Sequence, residues 1–138
     1  MRLTPEVMKI LAIDHGRSRT GLAVSDPSGT IVRPLEVITR VDAQAGARQL
    51  DEVIAREAPE LILVGEPRQL SGERGEQARA SAGFAKRLRS RVDVPVEMVD
   101  ERLTSVEAGR RRAESGSKAG LDSLAACVLL EAYLGAKR

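Results

Sequence analysis

The stretch Lys9-Ile10-Leu11-Ala12-Ile13-Asp14-His15-Gly16 decides the fold of this 138-residue chain. Its apolar residues lead directly into an aspartate, and a glycine follows two positions later. An unbroken apolar run bounded by turn residues predicts a strand that is buried on both faces of a sheet. Asp14 would then lie at the rim of the core, where a negative charge is costly unless a cation meets it. It is either a turn or cap acceptor, or a member of a metal or phosphate site.

The composition predicts one globular domain over residues 8–138, preceded by an N-terminal tail over residues 1–7. Apolar residues make up 42% of the chain and charged residues 30%, as is usual for globular proteins. No apolar stretch approaches the roughly 20 residues that span a bilayer, and the N-terminus lacks the apolar core of a signal peptide. The lone Cys127 excludes a disulfide within one chain, so we expect a cytoplasmic protein. The lone histidine, His15, excludes a multi-histidine metal site.

Basic residues are clustered, although the formal net charge is only +2. Residues 79–91 hold five cations and no acid, and residues 102–112 hold four arginines against Glu107 alone. Such runs are either solvated helix faces or surfaces for a polyanion, because clustered arginines pair well with phosphates. The chain has one Phe, one Tyr and no Trp. This argues against base-stacking platforms and favours recognition of the backbone and shape of a nucleic acid.

Periodicity and turn residues predict a mixed sheet flanked by helices, with the element order βββαβαβαα. The predicted strands cover residues 8–14, 20–26, 30–39, 61–65 and 94–99. The predicted helices cover residues 43–57 with Asp42 as the N-cap, residues 78–92, residues 104–116, and a final segment that begins near residue 120. The first three strands form an antiparallel meander, and two more strands join through helical crossovers. This is the order of the ribonuclease H-like fold, an α/β fold with a five-stranded sheet.

Acidic residues come at or just after the ends of the three buried strands. Asp14 ends the first, Glu66 follows the fourth, and Asp100 and Glu101 follow the last. Sites in a sheet with helical crossovers lie outside the carboxyl ends of the parallel strands, and the first and fourth strands are neighbours in this fold. Asp122, in the first turn of the last helix, is either a further member of such a site or an acid that compensates the helix dipole.

Carboxylates that converge raise each other's pKa, and a divalent cation removes that conflict. Mg²⁺ suits such a cluster because it takes oxygen ligands, keeps several waters and shares phosphate oxygens with a substrate. Two ions about 3.5 to 4 Å apart would activate water and stabilise the leaving oxygen of an in-line phosphodiester cleavage. Neither a Cys nucleophile nor a Ser–His pair is expected to offer a rival chemistry.

Four segments then carry a resemblance to a known family. They are Asp14 to Asp26, Val64-Gly65-Glu66-Pro67 with Gly72, Gly75, Gln77 and Ala78 after it, Asp100 to Ser105, and Leu121 to Ala126. In order and spacing they resemble the YqgF/RuvX family of RuvC-like nucleases over essentially the whole chain. The resemblance implies a ribonuclease H-like nuclease, described as a Holliday-junction resolvase and as a nuclease that matures the 5′ end of pre-16S rRNA. It also implies that Asp14, the Asp100–Glu101 pair and Asp122 supply the metal ligands.

The chain departs from the family pattern at two places. Arg17-Ser18 stands where the family usually has Thr-Lys, so a positive charge is kept but moved by one position. Glu66 stands where the family tends to have leucine, whereas an acid at the end of that strand is a metal ligand in the related RuvC resolvases. Glu66 is therefore either a fourth ligand or an exposed loop residue. Strand alternation in the sequence does not decide between Asp100 and Glu101.

The hypothesis for the site has Asp14 bridging two Mg²⁺ or Mn²⁺ ions, with Asp100 or Glu101 holding one ion and Asp122 the other. The candidate nucleic-acid contacts are Arg17, Arg19, Lys86, Arg102, Arg110 and Arg111. The substrate would be branched DNA or pre-rRNA, no membrane partner is expected, and symmetric cutting of a junction would require a homodimer. The rival hypotheses are an RNA-binding ribosome-assembly factor without catalysis, and an ATP-binding protein, since Asp-x-Gly before a hairpin also opens the two-lobed actin and sugar-kinase ATPases.

Overall fold

A computed structural model describes residues 8–66, 75–100 and 118–137, with only the backbone for residues 118–122 and 137. The strands in these segments are β1 (Ile10–Asp14), β2 (Arg19–Ser25), β3 (Val32–Pro34), β4 (Ile38–Thr39), β5 (Leu61–Glu66) and β6 (Val96–Asp100). The helices are α1 (Gln44–Glu57), α2 (Glu76–Arg89) and α3 (Lys118–Lys137). The tail over residues 1–7 and the helix predicted over residues 104–116 lie outside the described residues. None of the three helices is both long and apolar enough to cross a membrane.

The strands form one mixed sheet in the order β3-β2-β1-β5-β6, and β4 pairs with the other end of β2. The pairs β1–β2 and β2–β3 are antiparallel, whereas β1–β5 and β5–β6 are parallel. The first strand is central, as the sequence predicts, and all four of its apolar residues, Ile10 to Ile13, are 0% exposed. Because β1, β5 and β6 are parallel, their carboxyl ends meet at the same edge of the sheet.

Helices cover both faces of the sheet, so the molecule has three layers. Leu11 and Ile13 pack into the cluster with Leu50 of α1 and Phe84 of α2. Ile10 and Ala12 belong to the cluster on the opposite face, which contains Ala126, Cys127, Leu129, Leu130 and Leu134 of α3. Alternate residues of β1 therefore face different layers, as the period of two along a strand requires. Cys127 is a free, buried cysteine of this second cluster.

The third predicted strand is divided into the two short strands β3 and β4. Pro34, the last residue of β3, has no N–H to donate to the ladder, and the three residues after it belong to no strand. The first of them, Leu35, still contacts β2, because its N–H donates to the Leu22 carbonyl at 2.8 Å. The prediction of a single strand over residues 30–39 is thus wrong in this detail, because Pro34 interrupts the strand.

The predicted N-cap of α1 is also wrong. Ala43 stands at the N-cap position, and no side chain makes the capping hydrogen bond. The carboxylate of Asp42 instead accepts hydrogen bonds from His15 at 3.1 Å and from Arg87 at 2.6 Å. A local capping preference has been overruled by partners that lie 27 and 45 residues away in the chain.

Candidate active site

Asp14 lies at the carboxyl end of β1, where the central strand reaches the edge of the sheet. It pairs with Gly21 of β2, and the side chain is half-buried. The chain then turns at Gly16, where an added Cβ would lie 2.2 Å from the Arg19 carbonyl oxygen. Glycine is therefore the residue that lets this turn close against itself. The Gly16 N–H donates to Thr20 Oγ1 at 3.3 Å, which ties the turn to the start of β2.

Asp14 and His15 face different layers of the molecule. The His15 ring contacts Ser81 and Phe84 of α2, on the same face as Leu11 and Ile13. Because neighbouring residues of an extended chain point to opposite faces, Asp14 is directed towards the face that α3 covers, as Ala12 is. Only acids on the α3 face of the sheet can therefore share a site with the Asp14 carboxylate.

The first turns of α3 are held close to the Asp14 end of β1. The Ser123 hydroxyl donates to the Leu35 carbonyl at 2.8 Å, and the Leu35 N–H donates to the Leu22 carbonyl. Leu22 is the β2 partner of Ile13, one residue before Asp14. The backbone of Asp122 is thus anchored through its buried neighbour Ser123 to the strand beside Asp14. The Asp122 side chain itself lies outside the described part of the structure.

Glu66 and Asp100 are partners in the register of the parallel strands β5 and β6. Glu66 ends β5 and is 8% exposed, so the alternative that it is an exposed loop residue is wrong. Its Oε1 atom is buried and receives no hydrogen bond from the part of the chain that the structure describes, although the residue does have other interactions. Alternation directs Glu66 to the face of Val64, and Asp100 to the face of Met98. Both therefore belong to the layer of α1 and α2, opposite to Asp14.

No group of three or more His, Cys, Asp or Glu side chains within the described residues is arranged to hold a metal ion. Two of the predicted ligands, Glu101 and the side chain of Asp122, lie outside the described part of the structure. The donor chemistry of the predicted set is carboxylate oxygen throughout, which fits a hard cation such as Mg²⁺. The predicted set as a whole stays a prediction.

A buried polar network lies on the other side of the sheet from Asp14. His15 is 5% exposed, its Nε2 lies 3.1 Å from Asp42 Oδ2, and its Nδ1 lies 3.0 Å from Ser81 Oγ. A carboxylate can only accept, so Nε2 donates to Asp42, and in the neutral ring Nδ1 then accepts from the Ser81 hydroxyl. Burial acts to raise the pKa of Asp42, but the hydrogen bonds from Arg87 and His15 outweigh it and lower that pKa.

This network contains a Ser–His pair, which the sequence analysis did not expect. Ser81 is 0% exposed. Because its hydroxyl is inaccessible to a substrate, the pair offers no nucleophilic chemistry. The residues are separated by 66 positions, and no local pattern links them. The nearest signal in the sequence is Gln77, a motif residue whose amide bonds to both of them.

The candidate nucleic-acid contacts fall at two places. Arg17 and Arg19 are exposed on the turn after Asp14, and Arg17 pairs with Glu76 at the start of α2 at 2.8 Å. Lys86 is exposed near the other end of α2, ten residues and thus about 15 Å further along the helix axis. The remaining candidates, Arg102, Arg110 and Arg111, lie outside the described residues.

Part of the basic run over residues 79–91 is engaged with acids of the α1 region. Arg87 pairs with Asp42 at 2.6 Å and Arg91 pairs with Asp51 at 2.9 Å. Arg89 donates instead to the Val96 carbonyl, at 3.1 Å from Nε and 3.0 Å from Nη2. Three of the five cations in this run thus help to hold α2 against its neighbours.

Several solved structures with the same architecture are resolvases. A fowlpox virus resolvase in complex with Holliday junction DNA aligns with a TM-score of 0.58 and 14% identity, covering 94% of this chain and 98% of that one. Thermus thermophilus RuvC aligns with a TM-score of 0.55 and 22% identity, covering 93% and 97% of the two chains. The fold is therefore the ribonuclease H-like fold of the RuvC-type resolvases.

The sequence comparisons narrow this class to one family. Residues 8–136 match the family described as "RuvX: Holliday junction resolvase". A protein of Maridesulfovibrio salexigens named "Putative pre-16S rRNA nuclease" is 40% identical over 132 residues, covering 92% of this chain and 98% of the relative. A Rhodococcus opacus protein of the same name is 44% identical over 135 residues, covering 90% and 75%. The chain belongs to the RuvX family, a family of nucleases.

Proposed function

We propose that this protein is a divalent-metal-dependent endonuclease that hydrolyses phosphodiester bonds in structured nucleic acid. The position of Asp14 carries the proposal. Its carboxylate stands at the carboxyl end of the central strand, where active sites of such sheets form. It faces the layer of α3, whose first turns are anchored beside it through Ser123. The other supporting finding is the membership of the chain in a nuclease family.

The proposed metal ligands are Asp14, Glu101 and Asp122. Asp100 follows Met98 on the far face of the sheet, so the faces favour Glu101 over Asp100 as the partner of Asp14. Glu66 belongs to the same far face, which does not favour it as a fourth ligand. Mg²⁺ or Mn²⁺, as two ions, would supply an activated water and would neutralise charge that develops in phosphodiester cleavage. The role of the three carboxylates is to hold those ions at one edge of the sheet.

The substrate is proposed to be a folded RNA leader or a branched DNA, read by its shape and its phosphates. The curated relatives are named for pre-16S rRNA, and the family is described by the Holliday junction. Arg17 and Arg19 lie on the turn that directly follows Asp14, so phosphates bound there would reach the proposed cleavage site. Few aromatic side chains are available for base stacking. Recognition would then depend on shape and phosphates, which both substrates offer. Symmetric cutting of a junction would require a homodimer. The molecular mass of the protein in solution should therefore be measured together with its cleavage activity.

The decisive experiment compares cleavage of an end-labelled four-way DNA junction and a pre-16S rRNA leader in Mg²⁺, Mn²⁺ or chelator. We expect metal-dependent cleavage by the natural protein and a roughly hundred- to thousandfold loss in Asp14→Asn, comparable to the loss of a key electrostatic group in other enzymes. The fold should survive, because asparagine keeps the shape of the side chain. Asp51→Asn is the matched control, since Asp51 is an exposed residue of α1 that pairs with Arg91.

Two results would contradict the proposal. Undiminished metal-dependent cleavage by Asp14→Asn would remove Asp14 from the site. Salt-sensitive RNA binding without cleavage in either metal would instead identify a non-catalytic ribosome-assembly factor.

A further inference from the structure

Gln77 is a motif residue for which the cleavage chemistry gives no role. It lies in the first turn of α2, and its Nε2 donates to the backbone carbonyl of His15 at 3.2 Å. The same amide lies 3.3 Å from Ser81 Oγ and 3.4 Å from His15 Nδ1. Gln77 thus binds the peptide group between His15 and Gly16, one residue beyond Asp14, and it also supports the hydrogen bonds of the His15 ring.

We propose that Gln77 and His15 are positioning residues that preset the carboxylate of Asp14 for a divalent cation. This inference rests on the proposed function, because it assigns to Asp14 the metal that the function requires. Neither residue would touch the ion or the substrate. They act through the main chain at the end of β1, from the face of the sheet opposite to the site.

The His15 ring is fixed on every side. It stacks on Phe84 with ring centroids 4.5 Å apart and an interplanar angle of 17°. Its two nitrogens are bound to Asp42 and Ser81, which belong to the turn before α1 and to α2. Neighbouring residues point to opposite faces, so fixing this ring fixes the backbone that directs Asp14 towards α3. A ligand held by such outer contacts loses little freedom when the ion binds.

The use of Asp42 supports a positioning role over simple packing. Asp42 precedes the N-cap residue Ala43 of α1, yet α1 begins without a side-chain cap, and the carboxylate is spent on His15 and Arg87. A large apolar residue at position 15 could fill the space beside Phe84 without any buried polar group. A buried hydrogen-bonded network is retained in its place, which specifies one orientation more strictly than apolar contacts do.

The test is the replacement Gln77→Met, which keeps the size of the side chain and removes the amide donor. Gln49→Met in α1 is the matched control, because Gln49 is also half-buried in a helix. Mn²⁺ binding to each protein without nucleic acid is measured by isothermal titration calorimetry. We expect the Kd for Mn²⁺ to rise roughly tenfold in Gln77→Met, at the lower end of the range for outer-shell partners of metal ligands. The control should bind Mn²⁺ as the natural protein does.

Cleavage kinetics separate positioning from a general loss of structure. In Gln77→Met we expect kcat to fall at low Mn²⁺ and to recover at saturating Mn²⁺, with an unchanged KM for the nucleic acid. His15→Phe, which keeps a ring beside Phe84 and loses both hydrogen bonds, should show a larger shift in the same direction.

Three outcomes would overturn the inference. An unchanged Mn²⁺ affinity in Gln77→Met would overturn it while the proposed function stands. An equal loss of Mn²⁺ affinity in Gln49→Met would show that the effect of Gln77→Met comes from general stability and not from positioning. Absence of Mn²⁺ binding by the natural protein would overturn the proposed function together with the inference.

Discussion

Glu57 shows, at the scale of one residue, how this chain treats a buried carboxylate away from the candidate site. Its side chain is 7% exposed at the end of α1, and three cations surround it. Lys9 lies at 3.1 Å, Arg33 at 3.0 Å and Arg56 at 3.1 Å. Burial acts to raise the pKa of Glu57, but hydrogen bonds from Lys9 and Arg56 and the charge of Arg33 lower it. The cluster joins β1, β3 and α1 at the end of the sheet opposite to Asp14.

Glu57→Gln should destabilise the protein by about 1–2 kcal/mol at pH 7. The charge-assisted hydrogen bonds to the three cations are lost, but these cations are partly solvated, which limits the cost. The pKa of Glu57 is lower in the folded than in the unfolded chain, so the unfolded chain takes up its proton first as the pH falls below 4.5. The contribution is complete above that value and is lost as the pH falls through the lowered pKa. Urea unfolding of the variant should therefore show a weaker acid dependence.

Glu52→Gln is the control for this prediction, because Glu52 is an exposed residue of the same helix. An equal loss of stability in both variants, or an acid dependence unchanged by Glu57→Gln, would show that the three cations do not act through this carboxylate.

At the scale of elements, α1 packs closely against the turn after β4. Arg40 has a φ of 50°, and its N–H donates to the Ser18 carbonyl at 2.9 Å. A Cβ added to Gly46 would lie 2.2 Å from the Arg40 carbonyl oxygen and 2.8 Å from the Val41 Cα. The glycine thus lets the first turn of α1 lie directly against this turn, which also carries Asp42 to His15.

Gly46→Ala should cost about 2–3 kcal/mol, because the clashing atoms belong to the backbone and cannot rotate away. Gly135→Ala in α3 is the matched comparison, since no atom lies within 4 Å of its added Cβ. There, alanine should stabilise the helix by about 0.5 kcal/mol. Thermal unfolding of the two variants measures the difference. Similar midpoints for both would show that α1 can move away from the turn at little cost.

The elements were predictable wherever the signal is local. The apolar runs of β1 and β5 and the periodicity of α1 and α2 are written in consecutive residues, and the structure confirms them. The role of Asp42 was not predictable from the sequence. Whether it caps α1 or binds His15 depends on contacts between residues that are far apart in the chain. The burial of Glu66 was left open for the same reason. Asp14 could be singled out because the apolar run before it is visible in consecutive residues. The faces of the sheet on which Glu66 and Asp100 lie could be assigned only from the register of three strands.

At the scale of the whole molecule, exposed basic side chains stand near both ends of α2 within the described residues, although the net charge is only +2. Arg17 and Arg19 stand on the turn beside Asp14, whereas Lys86 stands near the far end of α2. The distance of about 15 Å along α2 corresponds to roughly four to five base pairs of a duplex. A nucleic acid that enters the proposed site therefore meets Arg17 first, and it meets Lys86 only if an arm extends along α2.

Salt titrations of binding can locate this path. Arg17→Ala should reduce the slope of log K against log salt by about 0.9 on duplex DNA, the value for one lost phosphate contact. Lys86→Ala should do so only for a junction with arms of about 15 base pairs, because arms of about 4 base pairs end before α2 does. Binding is measured in chelator, so that cleavage does not interfere. An unchanged slope in Arg17→Ala on both substrates would move the nucleic acid away from the turn after Asp14, since phosphates at that turn cannot avoid its guanidinium. An equal effect of Lys86→Ala on short and long arms would instead place the substrate across α2 from the outset.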